Sequence, residues 1–228
     1  MGRWWVTDVL SQPDGQVLLG SWVVWVIGSI VLHELAHGWA AIWCGDRTPI
    51  EMGHMTWNPL VHMGPVSLIM FALVGIAWGA MPVSPSRFRR RYDDALVSLA
   101  GPAMNVLLAL IAGIVGGLWY VVGARIAADN VQDNVRIFLW IGTSLNIALA
   151  LFNLVPVPPL DGSKIAARFF PAYERFIHSE QGAVASMIGF ALLFFFSGGV
   201  LFRTAQVAGH FVTDQSQRLF VAMFGAPP

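Results

Sequence analysis

Charge and cysteine are both scarce in this sequence. Only 11% of the 228 residues are charged, whereas 56% are hydrophobic, and soluble domains have about a quarter of their residues charged. The formal net charge of zero argues against nucleic acid as a partner. Cys44 is the single cysteine, which excludes an intramolecular disulfide and a zinc site built from several thiolates. The composition therefore indicates a polytopic membrane protein.

Four apolar segments are long enough to cross a bilayer, which takes about 20 apolar residues. They cover residues 17–44, 95–123, 137–154 and 183–202, and a fifth, borderline segment covers 64–82. We predict an all-α membrane protein, a helical bundle of four to six transmembrane segments. Residues 1–16 form an N-terminal juxtamembrane segment, residues 17–205 the transmembrane domain, and residues 206–228 a C-terminal tail. Residues 211–224 of the tail are predicted to form an amphipathic helix on the membrane surface.

Basic residues are concentrated in two of the loops between these segments. The loop between the second and third segments, by contrast, has no net charge. The positive-inside rule places the two basic loops in the cytoplasm. Their basic residues are Arg87, Arg89, Arg90 and Arg91 before the second segment, and Lys164, Arg168 and Arg175 after the third.

The first apolar segment contains the pentapeptide His33-Glu34-Leu35-Ala36-His37, and Glu34 is the only charged side chain between residues 16 and 45. One helical turn separates the histidines, so both imidazoles lie on one face and could bind one Zn²⁺. Glu34 lies about 100° around the helix, where it could act on a water molecule without being a ligand. The alternative is that His33 and His37 are ordinary core histidines. Polar groups in a membrane helix are costly, which favours the functional interpretation.

Asp161 is the best candidate for a third ligand. It follows Pro156, Pro158 and Pro159, which end the preceding helix and leave its carboxylate on irregular backbone. Such backbone is tolerated at membrane depth only where protein or a water-filled cavity surrounds it. The alternative role for Asp161 is the N-cap of a helix beginning at Ser163.

A shared site constrains the topology. The histidines lie in the later half of the first segment and Asp161 follows the third, so these two segments should run in the same direction and the second should oppose them. Residues 64–82 then cannot be a simple crossing, and we predict a re-entrant or hairpin element that covers the site. A full crossing there would reverse the first segment and move its histidines away from Asp161. His54 and His62 lie near this element and could approach the metal or serve as loop histidines.

Three motifs resemble the signatures of the site-2 protease family of intramembrane zinc metalloproteases, peptidase family M50. They are His-Glu-Leu-Ala-His-Gly at 33–38, Ala-Gly-Pro-Ala-Met-Asn at 100–105, and Asn-Leu-Val-Pro-Val-Pro-Pro-Leu-Asp-Gly at 153–162. The chain is most similar to the compact bacterial branch without PDZ or CBS domains. One departure is Gly64 before Pro65, where the family's pattern has an aspartate.

This resemblance implies a bacterial inner-membrane endopeptidase that cuts transmembrane segments of other proteins, with its active site towards the cytoplasm. It implies one Zn²⁺ per chain on His33, His37 and Asp161, with Glu34 as the catalytic base. Asn153 is expected to stabilise the oxyanion, or alternatively to make an interhelical hydrogen bond. Asn105 is expected to be structural, tying its helix to the zinc-binding histidines.

Two other classes of function stay open at this point. One is a membrane zinc hydrolase of small amphiphiles or signal-peptide remnants, and the other is a non-catalytic membrane binding protein. The lipid bilayer is the expected surrounding in each case. The sequence does not name the substrate or the oligomeric state.

Overall fold

Helices make up most of the computed structural model, which describes residues 4–196 and 198–227. These residues contain no β-strand, which confirms the predicted all-α class. One 3₁₀ turn covers Pro85–Arg87. The α-helices are α1 Trp5–Leu10, α2 Gly15–Trp43, α3 Thr48–Glu51, α4 Pro59–Val74, α5 Asp93–Ile126, α6 Asp129–Asn153, α7 Asp161–Phe169, α8 Pro171–Ile177, α9 Glu180–Phe196 and α10 Gly198–Phe224.

Three of the helices, α2, α5 and α6, are long and apolar enough to cross a membrane. The helices α8 and α9, bent by 87° relative to each other, pass the same test as a pair, so the described residues contain up to four candidate spans. The predicted fourth segment, residues 183–202, overlaps most of α9, Glu180–Phe196, and the first residues of α10, which begins at Gly198. The predicted boundary between residues 205 and 206 lies inside α10.

The three long helices pack in the directions that a shared site requires. Trp25 on α2 donates its indole N–H to the carbonyl of Phe138 on α6, 2.8 Å away, and farther along both helices Ile30 and Leu145 share a hydrophobic cluster. These contacts follow the same order along the two helices, so α2 and α6 run parallel. Helix α5 runs antiparallel to α2, since its earlier residue Val97 contacts His37, the later of the two histidines.

Small residues bring α10 onto the bundle. Ser216 of α10 is buried, and a Cβ atom on Gly117 of α5 would collide with it. Likewise, a Cβ atom on Gly209 of α10 would lie 3.0 Å from the hydroxyl of Ser144 on α6. In lipid, close packing of small residues is a main source of helix association. The prediction of a separate surface helix over residues 211–224 was therefore wrong, because that segment belongs to a long helix packed against α5 and α6.

Residues 59–84 form a hairpin beside α2, hereafter the α4 hairpin. Helix α4 is kinked at Gly64 (φ 68°, ψ 166°) and is capped by Gly75, and residues 76–84 return without regular secondary structure. Ser67 accepts a hydrogen bond from the N–H of Trp78 (2.8 Å) and donates one to its carbonyl (2.7 Å). The N–H of Ala80 donates to the carbonyl of His62. The two arms are thus joined along their length, as predicted for residues 64–82.

Candidate metal centre

His33, His37 and Asp161 converge in a buried cluster where α2 meets the start of α7. The Nε2 atoms of His33 and His37 lie 3.2 and 3.3 Å from the same carboxylate oxygen, Oδ2 of Asp161. The two Nε2 atoms are 3.0 Å apart. All three residues are less than a tenth exposed. The structure thus brings together the three residues that the sequence predicts as ligands.

The outward-facing nitrogens of both imidazoles show which atoms carry protons. Nδ1 of His37 lies 2.7 Å from the backbone carbonyl of Val97, and a carbonyl can only accept, so this nitrogen carries a proton. Nδ1 of His33 lies 2.6 Å from Oδ1 of Asn105, which is also an acceptor. In the neutral rings both Nε2 atoms are then unprotonated and face the carboxylate.

Two bare nitrogens and a carboxylate oxygen at these distances would repel one another without a cation. Histidine nitrogens and a carboxylate are ligands that Zn²⁺ takes in catalytic sites, where three protein ligands leave one position open. Histidine ligands usually donate their other ring N–H to a carbonyl or a carboxylate, as His37 does here to Val97. The donor set and its surroundings therefore fit a zinc ion.

The turn between α6 and α7 presents Asp161 to the histidines. Leu160 takes the N-cap position of α7 and Asp161 is the first residue of the helix, so the N-cap alternative for Asp161 was wrong. The N–H and the hydroxyl of Ser163 both donate to the carbonyl of Leu160, which holds this turn. The carboxylate of Asp161 faces α2 instead of capping its own helix.

Gly101 lets α5 lie directly against the metal-binding histidines. A Cβ atom at this position would be 2.5 Å from Cε1 and Nε2 of His33, and nearer still to Nε2 of His37. No side chain fits there while the imidazoles keep their positions. The motif at residues 100–105 does not reveal this contact, because nothing in it shows which side chains fill the space beside Gly101.

Glu34 is buried beside the histidines and is covered by the α4 hairpin. A Cβ atom on Gly79 would lie 2.7 Å from Oε1 of Glu34 and 2.7 Å from Cγ2 of Ile30. The extended arm of the hairpin therefore passes directly over the carboxylate. This is the covering element that the sequence predicted for residues 64–82.

Residues 21–196 of the chain match the family model of peptidase family M50. The chain belongs to this family.

Curated relatives of this M50 member carry names of the same kind. "Putative zinc metalloprotease YwhC" of Bacillus subtilis is 37% identical over 152 residues, which cover 65% of this chain and 68% of the relative. "Putative zinc metalloprotease Rip2" of Mycobacterium tuberculosis is 29% identical over 224 residues, or 91% of this chain and 76% of the relative. No solved structure matches the chain. Family and relatives together support a zinc metalloprotease, and its apolar helices identify a membrane protein.

Other predicted residues of this M50 metalloprotease lie outside the metal-binding cluster. Asn153, the last residue of α6, donates its amide to the carbonyl of Leu149 in its own helix (3.0 Å). Its role as oxyanion donor stays a prediction. His62 bonds through Nε2 to the carbonyl of Thr56, and His54 through Nδ1 to that of Met52. Both histidines are thus held by loop backbone, which is the alternative role that the sequence left open.

Asn105 has the structural role expected of it, since it bonds directly to His33. Asn146 on α6 was missed. It is fully buried, and its Oδ1 accepts a hydrogen bond from Nδ2 of Asn105 at 3.0 Å. The available signal was its position as a strongly polar residue in an apolar helix, because such residues are usually functional or paired.

Proposed function

We propose that this metalloprotease is an intramembrane endopeptidase of the site-2 type, hydrolysing peptide bonds in or near transmembrane segments of other membrane proteins. The depth of the metal-binding cluster supports this most directly. His37 precedes the end of α2 at Trp43 by six residues, about 9 Å along the axis. The helix is apolar and 29 residues long, enough to span a bilayer. A site at this position would reach peptide bonds below the membrane surface.

The distribution of basic residues supports an active site towards the cytoplasmic side of a multi-pass protein, and the bacterial relatives support the bacterial inner membrane as its location. The end of α2 nearest the metal-binding cluster leads to Arg47 and is contacted by Arg89, whose backbone N–H bonds the carbonyl of Cys44. Lys164 and Arg168 follow Asp161 on α7. The positive-inside rule assigns this end to the cytoplasm.

His33, His37 and Asp161 would hold one Zn²⁺ per chain. When bound, the ion would polarise the scissile carbonyl and acidify a water molecule. Glu34 would serve as the proton acceptor for the attacking water and as the donor of that proton to the nitrogen of the leaving amine. The neighbouring backbone of Gly79 and the burial of Glu34 shield this transfer from bulk water.

Asn153 is our candidate for donating a hydrogen bond to the developing oxyanion. Its amide currently donates to the carbonyl of Leu149, so this role requires a change of side-chain rotamer when substrate binds. Asn153 is the last residue of α6 and directly precedes the loop that leads to Asp161, so its side chain can change rotamer without moving the helix.

Access by a transmembrane substrate requires two rearrangements. The peptide bonds of a membrane helix are already hydrogen-bonded, so the substrate must unwind locally before it can be cut. The α4 hairpin covers Glu34, so its extended arm must also move aside. We therefore assign the hairpin the role of a gate.

The test compares four purified proteins in detergent: wild type, Glu34→Gln, Asp161→Asn and Glu180→Gln. Zinc is measured by elemental analysis, and cleavage with a membrane-spanning peptide labelled on both sides of an internal bond. We expect about one zinc per chain in all but Asp161→Asn. Cleavage should fall about 10²–10⁴-fold in Glu34→Gln, because the proton acceptor is lost. Glu180→Gln changes an exposed glutamate and should match the wild type.

Two results would contradict the proposal. Full zinc content in Asp161→Asn would mean that another residue supplies the third ligand. A zinc-loaded wild type that cuts short signal-peptide remnants, but never an internal bond of the spanning peptide, would replace the proposed substrate class with the smaller one.

A further inference from the structure

Two fully buried asparagines connect His33 to the backbone of α6. Nδ1 of His33 lies 2.6 Å from Oδ1 of Asn105 on α5. Nδ2 of Asn105 donates to Oδ1 of Asn146 on α6, at 3.0 Å, and Nδ2 of Asn146 donates to the carbonyl of Gly142, at 2.9 Å. Neither asparagine has any measurable exposure. We call these three hydrogen bonds the asparagine relay.

The direction of the relay is determined at its far end. The carbonyl of Gly142 can only accept, so the atom of Asn146 facing it must be the amide nitrogen. The oxygen of Asn146 then faces Asn105 and must receive its amide nitrogen. This leaves the oxygen of Asn105 for His33, whose Nδ1 must therefore carry the proton.

This direction matters because an asparagine side chain can turn over with little change in shape. If Asn105 turned over, its NH₂ group would face Nδ1 of His33, and that nitrogen would have to be the acceptor. The neutral ring would then carry its proton on Nε2, the atom that faces His37 and Asp161. A protonated nitrogen cannot bind a metal ion.

We propose that Asn146 is a positioning residue of the metal centre, acting through Asn105 to keep the Nε2 of His33 unprotonated and available to zinc. This inference rests on the proposed zinc-binding role of His33. His37 needs no such device, because its Nδ1 bonds directly to the backbone carbonyl of Val97, which cannot turn over. The side chain of Asn146 bonds to Asn105 and to the carbonyl of Gly142, not to either histidine.

The first test compares Asn146→Leu with the matched control Thr143→Val. Both residues are fully buried on α6, and each donates to the carbonyl four residues earlier, since the Thr143 hydroxyl bonds Leu139 at 2.9 Å. Only Asn146 belongs to the relay. Zinc dissociation constants are measured by competition with a chelating dye. We expect Asn146→Leu to raise the constant about 10–100-fold, as for other residues behind a metal ligand, and Thr143→Val to stay within about threefold.

A second experiment uses the variant Asn105→Asp as the starting protein and tests whether Asn146 acts through Asn105. In Asn105→Asp both carboxylate oxygens are acceptors, so either orientation receives the proton of His33. Adding Asn146→Leu to this variant should therefore weaken zinc binding by less than about threefold. If Asn146→Leu does not fold, Asn146→Ser replaces it, because serine can still donate to the carbonyl of Gly142 but is too short to reach Asn105.

The ring nitrogens can also be observed directly. In the metal-free protein, the ¹⁵N shifts of His33 should report a proton on Nδ1 in the wild type and a mixture of the two tautomers in Asn146→Leu. Equal zinc affinity in Asn146→Leu and Thr143→Val would overturn the proposal while leaving the zinc site intact. The proposal would also be overturned if Asn146→Leu reduced zinc affinity equally in the wild type and in Asn105→Asp, because Asn146 would then act on stability alone. A wild type without zinc affinity would overturn the proposed function as well.

Discussion

The metal-binding face of α2 lies between two walls of different construction. One wall is α5, whose backbone at Gly101 lies against both imidazoles. The carbonyl of Val97 accepts a hydrogen bond from Nδ1 of His37, and Oδ1 of Asn105 accepts one from Nδ1 of His33. The other wall is the α4 hairpin, whose extended arm passes over Glu34 at Gly79. Hydrogen bonds join the two arms of the hairpin to each other, and others join the hairpin to α1 and to the turn after α2.

The proposed reaction needs a metal centre that keeps its arrangement and a covering element that moves aside for the substrate. The α5 wall shares hydrogen bonds with the ligands, so it cannot move without disturbing the metal centre. The hairpin wall packs on α2 through its buried Met63 and Phe71 and contacts the catalytic carboxylate, but among the described residues it shares no hydrogen bond with the three ligands. A substrate could therefore displace the hairpin while the three ligands keep their arrangement.

The largest effects on zinc content and cleavage are expected when alanine replaces Gly101 of α5 or Gly79 of the hairpin, since each change adds one methyl group beside the site. Gly101→Ala puts a Cβ atom within 2.5 Å of His33, so the ligands must separate and zinc content should fall to near zero. Gly79→Ala puts a Cβ atom 2.7 Å from Glu34 and should reduce peptide cleavage by at least about tenfold, with zinc retained.

Elemental analysis and the cleavage assay distinguish these outcomes, and Gly20→Ala serves as control, since a Cβ there meets nothing within 4 Å. If Gly101→Ala kept its full zinc content, the α5 wall would not be the rigid one.

Removing the anchor at the base of the hairpin should have an intermediate effect. Asp46 is fully buried after α2, where one oxygen accepts the N–H and hydroxyl of Thr48 and the other accepts the N–H of Ser84 at 2.6 Å. Asp46→Ala leaves these donors without their acceptor and should lower the free energy of unfolding by about 1–3 kcal/mol. Thermal unfolding in detergent measures this, with the exposed Asp133→Ala as control.

The contribution of Asp46 should also depend on pH. Burial favours the neutral acid, but the hydrogen bonds from Ser84 and Thr48 outweigh it and hold the pKa of Asp46 below the usual 3.8. The native state therefore favours the carboxylate, and its stabilisation is complete above about pH 4. It is lost as the pH falls through the native pKa. The difference between wild type and Asp46→Ala should shrink below pH 4, and a difference that grows there would contradict this assignment.

The smallest effect is expected at the tip of the hairpin. Trp5 donates its indole N–H to the carbonyl of Ala72 (3.3 Å), and its ring packs on Phe71 and Gly75. Trp5→Phe keeps an aromatic ring but removes the donor. Because this hydrogen bond is exposed, the free energy of unfolding should fall by no more than about 1 kcal/mol. A loss as large as that of Asp46→Ala would show that the tip is as firmly held as the base.

Local patterns predicted much of the site and missed its surroundings. The spacing of His33 and His37, the prolines before Asp161 and the need for a common depth predicted the cluster, the parallel course of α2 and α6, and the hairpin. Asn146 could not be predicted in its role, because it meets Asn105 across two helices and 41 residues of sequence. The packing of α10 was missed for a similar reason, since Gly117 and Ser216 lie in different helices and only their contact reveals the close approach.

The sequence by itself determined which chemistry this chain can hold. Four residues of helix separate two imidazoles by about one turn, so they share a face wherever the helix lies. The apolar lengths of α2, α5 and α6 likewise require a membrane. Only the tertiary structure decided which nitrogen of each imidazole faces the metal position. That choice depends on acceptors supplied by α5 and α6, and a helix's own periodicity carries no information about the atoms of its neighbours.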